Sequence, residues 1–244
     1  MLQSYNNFLI RHKIRQSDIV FLKRFNVKNK ISLSLQCKKK QMNQQEITKE
    51  EINLLPTAVF EGKIIVIDNT SSLKKAMRAL DKEEKVGFDT ETRPAFEKGV
   101  RHKVSLVQIA TNDVCYLFRL NILNGIPKIL ADFLNSTKCK KIGLSLRDDF
   151  LMLNRHEKLN QESFIDLQKI VGNYGIESLS LQKIFALLFK QKISKYQRLT
   201  NWEAATLTAA QKRYAATDAW ATLKIYEFIS KMDKIETFNK HLSP

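Results

Sequence analysis

The amino-acid sequence predicts a mixed α/β (α+β) domain, built on a sheet with helices on its faces. Strand-like stretches alternate with helix-like ones up to about residue 153, and the chain from about Ser178 onward is mostly helical. Strands interleaved with helices and followed by a helical end are typical of a mixed sheet. The sequence has no Gly-rich phosphate loop of the dinucleotide-binding or Walker kind, which disfavours those folds.

Length and composition set the outer limits. The 244 residues, 43% of them hydrophobic, suffice for one sizeable domain and a tail. No apolar run approaches the roughly 20 residues of a membrane-spanning helix, so we expect a soluble protein with no membrane partner. The three cysteines have neither paired nor metal-type spacing, which predicts no disulfide partner and a reducing, cytoplasmic location. The sequence does not predict the oligomeric state.

The formal net charge of +16 is typical of a protein that handles a polyanion such as nucleic acid. Residues 1–41 contain ten Lys or Arg side chains and one acid, Asp18. This basic tail fits a disordered arm, an organellar presequence, or a segment upstream of a true start at Met42. We favour the last, because Thr48-x-x-Glu51 follows with the pattern of a capping box. Residues 42–244 would then form the working domain, with its core at about 54–231.

Local patterns predict the elements in order: alternation with period two for strands, apolar recurrence at three and four for helices, and capping residues at helix starts. The expected elements are a strand Lys63–Asp68, a helix capped by Ser71 or Ser72 that ends near Leu80, a central strand Lys85–Glu91, a hairpin of Val104–Ala110 and Val114–Phe118, a helix near Ile126–Leu134, a strand Lys141–Ser145, a helix from Arg147 or Asp148 to about Leu153, and helices Leu179–Phe189 and Thr208–Lys231.

The central strand places two carboxylates side by side. Val86 and Phe88 point to one face, and Gly87, Asp89 and Glu91 to the other, because side chains alternate along a strand. Two buried like charges are costly unless a cation lies between them. A solvated acidic strand end is the alternative that this stretch alone leaves open.

Two further acidic positions stand in similar contexts. An Asp148-Asp149 pair opens a helix directly after the strand Lys141–Ser145; one Asp could cap the helix while the other projects into a site. Tyr214 and Asp218 lie four residues apart on one face of a late, alanine-rich helix. A partly buried acid at Asp218 needs a partner, which could be a cation in a site or a basic side chain in a salt bridge.

In combination, these motifs resemble the tyrosine branch of the DEDD superfamily of 3′–5′ exonucleases, in the pattern of ribonuclease D and Werner-type exonuclease domains. The resemblance covers about Leu54–Lys231 and includes Val104–Ala110 and Asn201-Trp202. The Gly-x5-Asp-x3-Leu spacing runs through Gly143 and Leu153 and selects Asp149 over Asp148. None of the four histidines occupies position 214, where the other branch has one. The resemblance implies a ribonuclease H-like fold in a single exonuclease domain.

The resemblance also implies a mechanism. Asp89, Glu91, Asp149, Tyr214 and Asp218 would be catalytic, and the four carboxylates would hold two Mg²⁺ or Mn²⁺ ions, for which oxygen ligands are suited. Asp89 would bridge both ions, Glu91 and Asp218 would complete the first, and Asp149 would serve the second. Tyr214 would orient the attacking water.

The expected function is hydrolysis of phosphodiester bonds at single-stranded or frayed 3′ ends, which releases nucleoside 5′-monophosphates. DNA is favoured, because the chain leaves no room for the helical nucleic-acid-binding domain of ribonuclease D. The alternatives are an RNA 3′-end trimming enzyme and an inactive nucleic-acid-binding module. Phosphate contacts are predicted for four basic residues after the central strand: Arg93, Lys98, Arg101 and Lys103. Trp202 and Trp220 could stack on bases or belong to the core.

Overall fold

The computed structural model describes residues 46–97 and 99–232. The basic tail, the start-site hypothesis at Met42 and the contact predicted for Lys98 therefore lie outside the described residues. The elements are α1 (Lys49–Leu54), β1 (Lys63–Ile67), α2 (Thr70–Leu80), β2 (Lys85–Thr92), β3 (Val104–Ala110), β4 (Val114–Arg119), α3 (Lys128–Asn135), β5 (Lys140–Gly143), α4 (Leu146–Leu153), β6 (Phe164–Asp166), α5 (Leu167–Ile170), a 3₁₀ turn (Val171–Tyr174), α6 (Leu181–Phe189) and α7 (Ala209–Ile229).

The six strands form one mixed sheet in the order β1-β4-β3-β2-β5-β6. The three consecutive strands β2, β3 and β4 are antiparallel neighbours, whereas β1 runs parallel to β4, and β5 runs parallel to both β2 and β6. The predicted mixed sheet and the predicted hairpin are confirmed. The central strand β2 lies inside the sheet, so the side chains on both of its faces can be buried.

Helices cover the two faces of the sheet unequally. On one face, Val86 and Phe88 pack with α2, α3 and α4 in the largest core cluster. On the other face lies α7, whose residues Ala215, Ala216 and Ala219 are fully buried. A helix with so many small side chains can lie close to a sheet, and α7 contacts β1, β2, β3, β4 and β5.

Three details differ from the sequence prediction. The helix α2 is capped by Asn69, whose side chain accepts a hydrogen bond from the Ser72 amide, so capping by Ser71 or Ser72 is wrong. The short elements β6, α5 and the 3₁₀ turn were not predicted. The strand β5 ends at Gly143, two residues earlier than expected. The predicted capping box is present: the Glu51 amide donates to Thr48, whose own amide donates to the Glu51 carboxylate. In the described residues, no helix combines the length and apolarity of a membrane span.

Candidate active site

Three carboxylates from two elements meet near the end of β2. Asp89 and Glu91 lie on β2 and Asp218 lies on α7, and one oxygen of each lies within 4.8 Å of the others. Glu91 and Asp218 are 9% and 8% exposed, and Asp89 is half-buried. The structure thus brings together three of the four predicted metal-binding carboxylates in an enclosed place. In the part of the chain that is described, no other group of three potential metal ligands is this compact.

Gly87 sets the distance between β2 and α7. A Cβ atom on Gly87 would lie 1.9 Å from the carbonyl oxygen of Ala219, so no side chain fits at this position. One turn along, the Thr222 hydroxyl donates to the carbonyl of Ile142 at 2.7 Å and ties α7 to β5. Asp218 precedes Ala219 on the helix, so this close approach brings its carboxylate next to Asp89.

Asp149 reaches the same region from α4. The hydroxyl of Thr90, which lies between the two acids of β2, donates to Oδ1 of Asp149. The charge of Asp149 also raises the pKa of both Asp89 and Glu91, which shows that the three side chains lie near one another. Asp148, in contrast, is exposed. The structure therefore places Asp149, not Asp148, beside the cluster.

The start of α4 is held by Asp166, which the sequence analysis missed. The Asp166 carboxylate accepts hydrogen bonds from the amides of Ser145 and Leu146 at 3.0 and 3.1 Å. Ser145 has a left-handed backbone, with φ of 64°, and its own side chain makes no capping hydrogen bond. The prediction that Asp148 or Asp149 caps the helix is therefore wrong, and Asp149 is available to the site.

The enclosed carboxylates oppose one another's ionisation. Burial is the largest cause and raises the pKa of Glu91 to about 9, that of Asp218 to about 7 and that of Asp149 to about 6. The pKa of Asp89 is also raised, by burial and then by the charges of the other three acids. Because nearby like charges and desolvation both favour protonation, a cation at this place would be strongly favoured.

Tyr214 adjoins the cluster through Asp218. The two side chains share a hydrogen bond, and the pKa of the Tyr214 hydroxyl is raised, first by burial and then by the charge of Asp218. The phenol therefore keeps its proton at neutral pH. Its ring centroid lies 6.0 Å from that of Trp202, which is fully buried and so cannot stack on a base. Trp220 packs against Phe60 and Phe185 in the core.

Two basic residues beside the cluster were not predicted. The charge of Arg198 lowers the pKa of Glu91, and the charge of Lys195 lowers that of Asp218, so both side chains lie within electrostatic range of the acids. They belong to the segment between α6 and α7, shortly before Asn201-Trp202. The position of these two basic residues shortly before that motif was the sequence signal that could have identified them.

The predicted basic contacts have different surroundings. Arg93 forms an ion pair with Glu203, with 3.2 Å between Nη1 and Oε2. Arg101 and Lys103 are exposed and line a cavity. The structure therefore assigns Arg93 an intramolecular partner that the sequence did not reveal.

The ligand set fits a hard divalent cation. Its donors are carboxylate oxygens, which suit Mg²⁺ or Mn²⁺, and its acids are held close enough for their charges to conflict without one.

Comparison with known proteins shows which protein family this chain matches. A family model described as 3′-5′ exonuclease matches residues 64–233. A 3′-5′ exonuclease of Arabidopsis thaliana is 31% identical over 199 residues, which cover 72% of this chain and 67% of the plant protein. The bifunctional 3′-5′ exonuclease/ATP-dependent helicase WRN of Mus musculus is also 31% identical, over 73% of this chain but only 13% of the mouse protein. The chain thus corresponds to a small part of that relative.

Solved structures share the fold. The EXO domain of Aedes aegypti Nibbler superposes with a TM-score of 0.63 at 24% identity, over 72% of this chain and 92% of that domain. RNase D of Escherichia coli, described as an exoribonuclease involved in structured RNA processing, gives 0.60 at 21% identity, over 70% of this chain and 44% of that protein. A complex of Trypanosoma brucei RNase D with RNA U12 gives 0.62 at 17% identity, over 72% of this chain and 65% of that one.

Proposed function

Because the chain belongs to the 3′-5′ exonuclease family, we propose that it hydrolyses phosphodiester bonds at the 3′ end of a nucleic acid and releases nucleoside 5′-monophosphates. The observation that supports this most directly is the enclosed cluster of Asp89, Glu91 and Asp218, with Asp149 and Tyr214 beside it. Phosphodiester hydrolysis needs a positioned water and compensation of the charge that develops on the phosphate. Tyr214 could position the water, and metal ions held by the carboxylates would compensate the charge.

The four carboxylates would hold divalent metal ions. Bound there, Mg²⁺ or Mn²⁺ would supply Lewis-acid polarisation of the phosphate and a water of lowered pKa. The mutual repulsion that helps to raise the pKa values of Asp89 and Glu91 would be relieved by a cation, which on binding would displace the protons from the same oxygens. We propose two ions per site, as the family resemblance implies.

Tyr214 has the properties of a water-orienting group rather than a base. Its hydroxyl is bonded to Asp218 and keeps its proton, so it can donate or accept a hydrogen bond without changing charge. Lys195 and Arg198 lie close enough to the acids to meet a negatively charged phosphate that enters the site. We assign these two residues to phosphate neutralisation, in place of Arg93, which is paired with Glu203.

A cavity that begins at Arg93, two residues after Glu91, favours an unpaired strand as substrate; we call it the apolar cavity after Phe96 and Leu199, although polar side chains also line it. It has a volume of about 500 Å³ and lies between the loop that follows β2 and the segment that precedes Trp202. Phe96 and Leu199, one on each side, are 83% and 66% exposed. Exposed apolar side chains at a site suit the stacking faces of bases, which are accessible only in single strands or frayed ends. These residues replace the tryptophans as candidates for base contact.

DNA is the first candidate substrate and RNA the second. One observation supports RNA as the second candidate: the chain shares its fold with ribonuclease D, and one structure of that enzyme holds RNA U12. An inactive binding module is the non-enzymatic alternative. The loss of a metal ligand that would mark such a module is not found at the four acidic positions, and Tyr214 is also present.

The test uses a single-stranded DNA 20-mer and an RNA 20-mer of equal sequence, both labelled at the 5′ end. Incubation with Mg²⁺ or Mn²⁺ is expected to give a ladder that shortens from the 3′ end, with nucleoside 5′-monophosphates as products. The faster substrate identifies the preferred nucleic acid. Intact strands with retained binding would instead support the binding module.

A further inference from the structure

A second cavity, distinct in chemistry from the apolar one, lies beyond the end of β2. Its volume is about 360 Å³. Val104, Ser105 and Leu120 are the buried part of its lining, and none of the lining side chains is aromatic apart from two imidazoles. Its polar lining consists chiefly of cationic, amide and imidazole side chains: Arg101, Lys103, Asn121, Asn124, His102 and His156. The cavity therefore presents polar groups, with several hydrogen-bond donors, rather than an apolar surface.

The charge of this cavity is positive. Glu203 is the one acid in its lining, and its carboxylate is already engaged: Arg93 binds Oε2 at 3.2 Å, and His102 Nδ1 lies 3.7 Å from Oε1. Arg101 and Lys103 form no ion pair with any described residue. Two uncompensated cations therefore face the same space, which makes it a site for an anion.

Neutral groups of the lining are fixed by the fold. The Asn121 amide donates to the backbone carbonyl of Glu203 at 3.4 Å, which holds the loop after β4 against the segment after Trp202. His156 uses Nε2 on the carbonyl of Val104 at 3.0 Å. Gly125 has a left-handed backbone with φ of 108°, and a Cβ there would lie 3.7 Å from Nδ1 of His156. The absence of that side chain leaves Nδ1 accessible as an acceptor, so the anion-binding groups of the cavity are its cationic and amide side chains, not His156.

The cavity adjoins the candidate active site. Val104, in its lining, is paired in register with Thr92, which directly follows the metal-binding candidate Glu91. His102 lines both this cavity and the apolar one, so the two are neighbours. A strand whose terminal nucleotide lies at the acidic cluster and apolar cavity would reach the cationic cavity with the nucleotides before it.

We propose that the cationic cavity binds backbone phosphates of the substrate strand on the 5′ side of the scissile bond. The proposal rests on the proposed function and gives it a second, non-catalytic contact region. Arginine, lysine and amide side chains are the usual phosphate ligands in nucleic-acid complexes, and such contacts fix the register of a strand without reading its bases. The cavity would thus favour strands of several nucleotides over a single nucleotide.

The first test measures binding as a function of salt. Each phosphate contact on a single strand contributes roughly 0.7 to the slope of log K against log salt. The variant Arg101→Ala/Lys103→Ala, in the full chain and in EDTA, is therefore expected to lower that slope by roughly 1.4 for a fluorescent single-stranded 20-mer. The matched control Arg78→Ala/Lys82→Ala removes an exposed Arg and an exposed Lys near the opposite end of β2 and should leave the slope unchanged. Equal slopes for wild type and the cavity variant would overturn the proposal.

The second test separates this cavity from the active site. The p-nitrophenyl ester of thymidine 5′-monophosphate has one phosphodiester, which fills the active site and leaves the cavity empty. The cavity variant should hydrolyse it like wild type, while its KM for the 20-mer rises about tenfold, which corresponds to about 1.4 kcal/mol. An equal loss on both substrates would assign these residues to the active site and refute the cavity proposal. If wild type cleaved neither substrate, the proposed function would fail, whereas the salt slopes would still test the cavity.

A third test locates the phosphate. Uncharged methylphosphonates replace the phosphates of the 20-mer one at a time. One or two positions near the 3′ end should weaken binding to wild type but not to the cavity variant. Equal effects on both proteins at every position would contradict the proposal.

Discussion

The distance between β2 and α7 can be tested by a single added carbon. In Gly87→Ala, the new Cβ would lie 1.9 Å from the carbonyl oxygen of Ala219 and 3.1 Å from the hydroxyl of Thr222. The first contact is with backbone, which cannot rotate away as a flexible side chain can. Since Cβ contacts shorter than 3.0 Å are essentially never observed, strand and helix must separate by roughly 1 Å.

This separation has a cost in stability and a cost in function. Overpacking of a close-packed contact destabilises a protein by roughly 1–3 kcal/mol, and we expect about 2 kcal/mol here. Asp218 is next to Ala219 and must move with it, away from Asp89. Displacement of catalytic groups by 1 Å lowers a reaction rate by roughly 100-fold.

The assay combines urea unfolding, calorimetric titration with Mn²⁺ and cleavage of a labelled single strand. The matched control is Gly172→Ala, because a Cβ there meets no atom within 4 Å and the backbone is not left-handed. Gly172→Ala should be as stable as wild type or slightly more stable, with unchanged activity. If Gly87→Ala unfolded, bound Mn²⁺ and cleaved like wild type, the close approach of β2 and α7 would not be what assembles the site.

Three further predictions follow from the electrostatics and burial of individual side chains. Glu91→Gln should be at least about 1 kcal/mol more stable than wild type in EDTA at pH 8, as measured by thermal melting. The folded protein holds a proton on Glu91 up to a pKa of about 9, while the unfolded chain has released it, so the ionisable residue lowers stability as pH rises above about 4.5. Asp149→Asn should lower turnover by at least about 100-fold, whereas Asp148→Asn, at an exposed position, should stay within about twofold. Gln108→Met should raise the free energy of unfolding in urea by about 1 kcal/mol, because the amide of Gln108 is fully buried and has no hydrogen-bond partner among the described residues.

Each of these predictions has a contrary outcome. If the stability difference between wild type and Glu91→Gln were the same at pH 4 and pH 8, the ionisation of Glu91 would not be its cause. Addition of Mn²⁺ should stabilise wild type alone and so make wild type the more stable of the two proteins. If both the Asp148 and the Asp149 substitution left turnover within about twofold of wild type, neither carboxylate of α4 would take part in the reaction. A loss of stability in Gln108→Met would indicate that the amide has a partner, such as an enclosed water.

The local part of the site was predictable from the sequence because strand and helix periodicities are local. Period two places Asp89 and Glu91 on the same face of β2, and the structure shows their carboxylates together. The alanine-rich stretch around Asp218 predicts a helix that can lie close to another element, and α7 packs on the sheet through that stretch. These features depend on residues close together in the sequence.

Features that depend on distant contacts were not predictable. Asp166 replaces the expected cap of α4, but it is the last residue of a strand of only three half-buried residues, which is too short to show a period. Arg198 and Lys195 approach the acids through the path of an irregular segment, which no residue pattern records. The ion pair of Arg93 with Glu203 joins residues far apart in sequence. The sequence pattern around Arg93 therefore could not show that Glu203 would compete with phosphate for this side chain.

The most direct measurement compares wild type with Asp89→Ala on a 5′-labelled single strand in Mg²⁺. Metal-dependent 3′–5′ hydrolysis at the acidic cluster predicts a ladder that shortens from the 3′ end with wild type, and intact strands with EDTA or with Asp89→Ala. Thermal melting of the variant verifies that it is folded. Equal cleavage by wild type and the folded variant, or intact strands with both, would contradict the assignment of hydrolysis to this cluster.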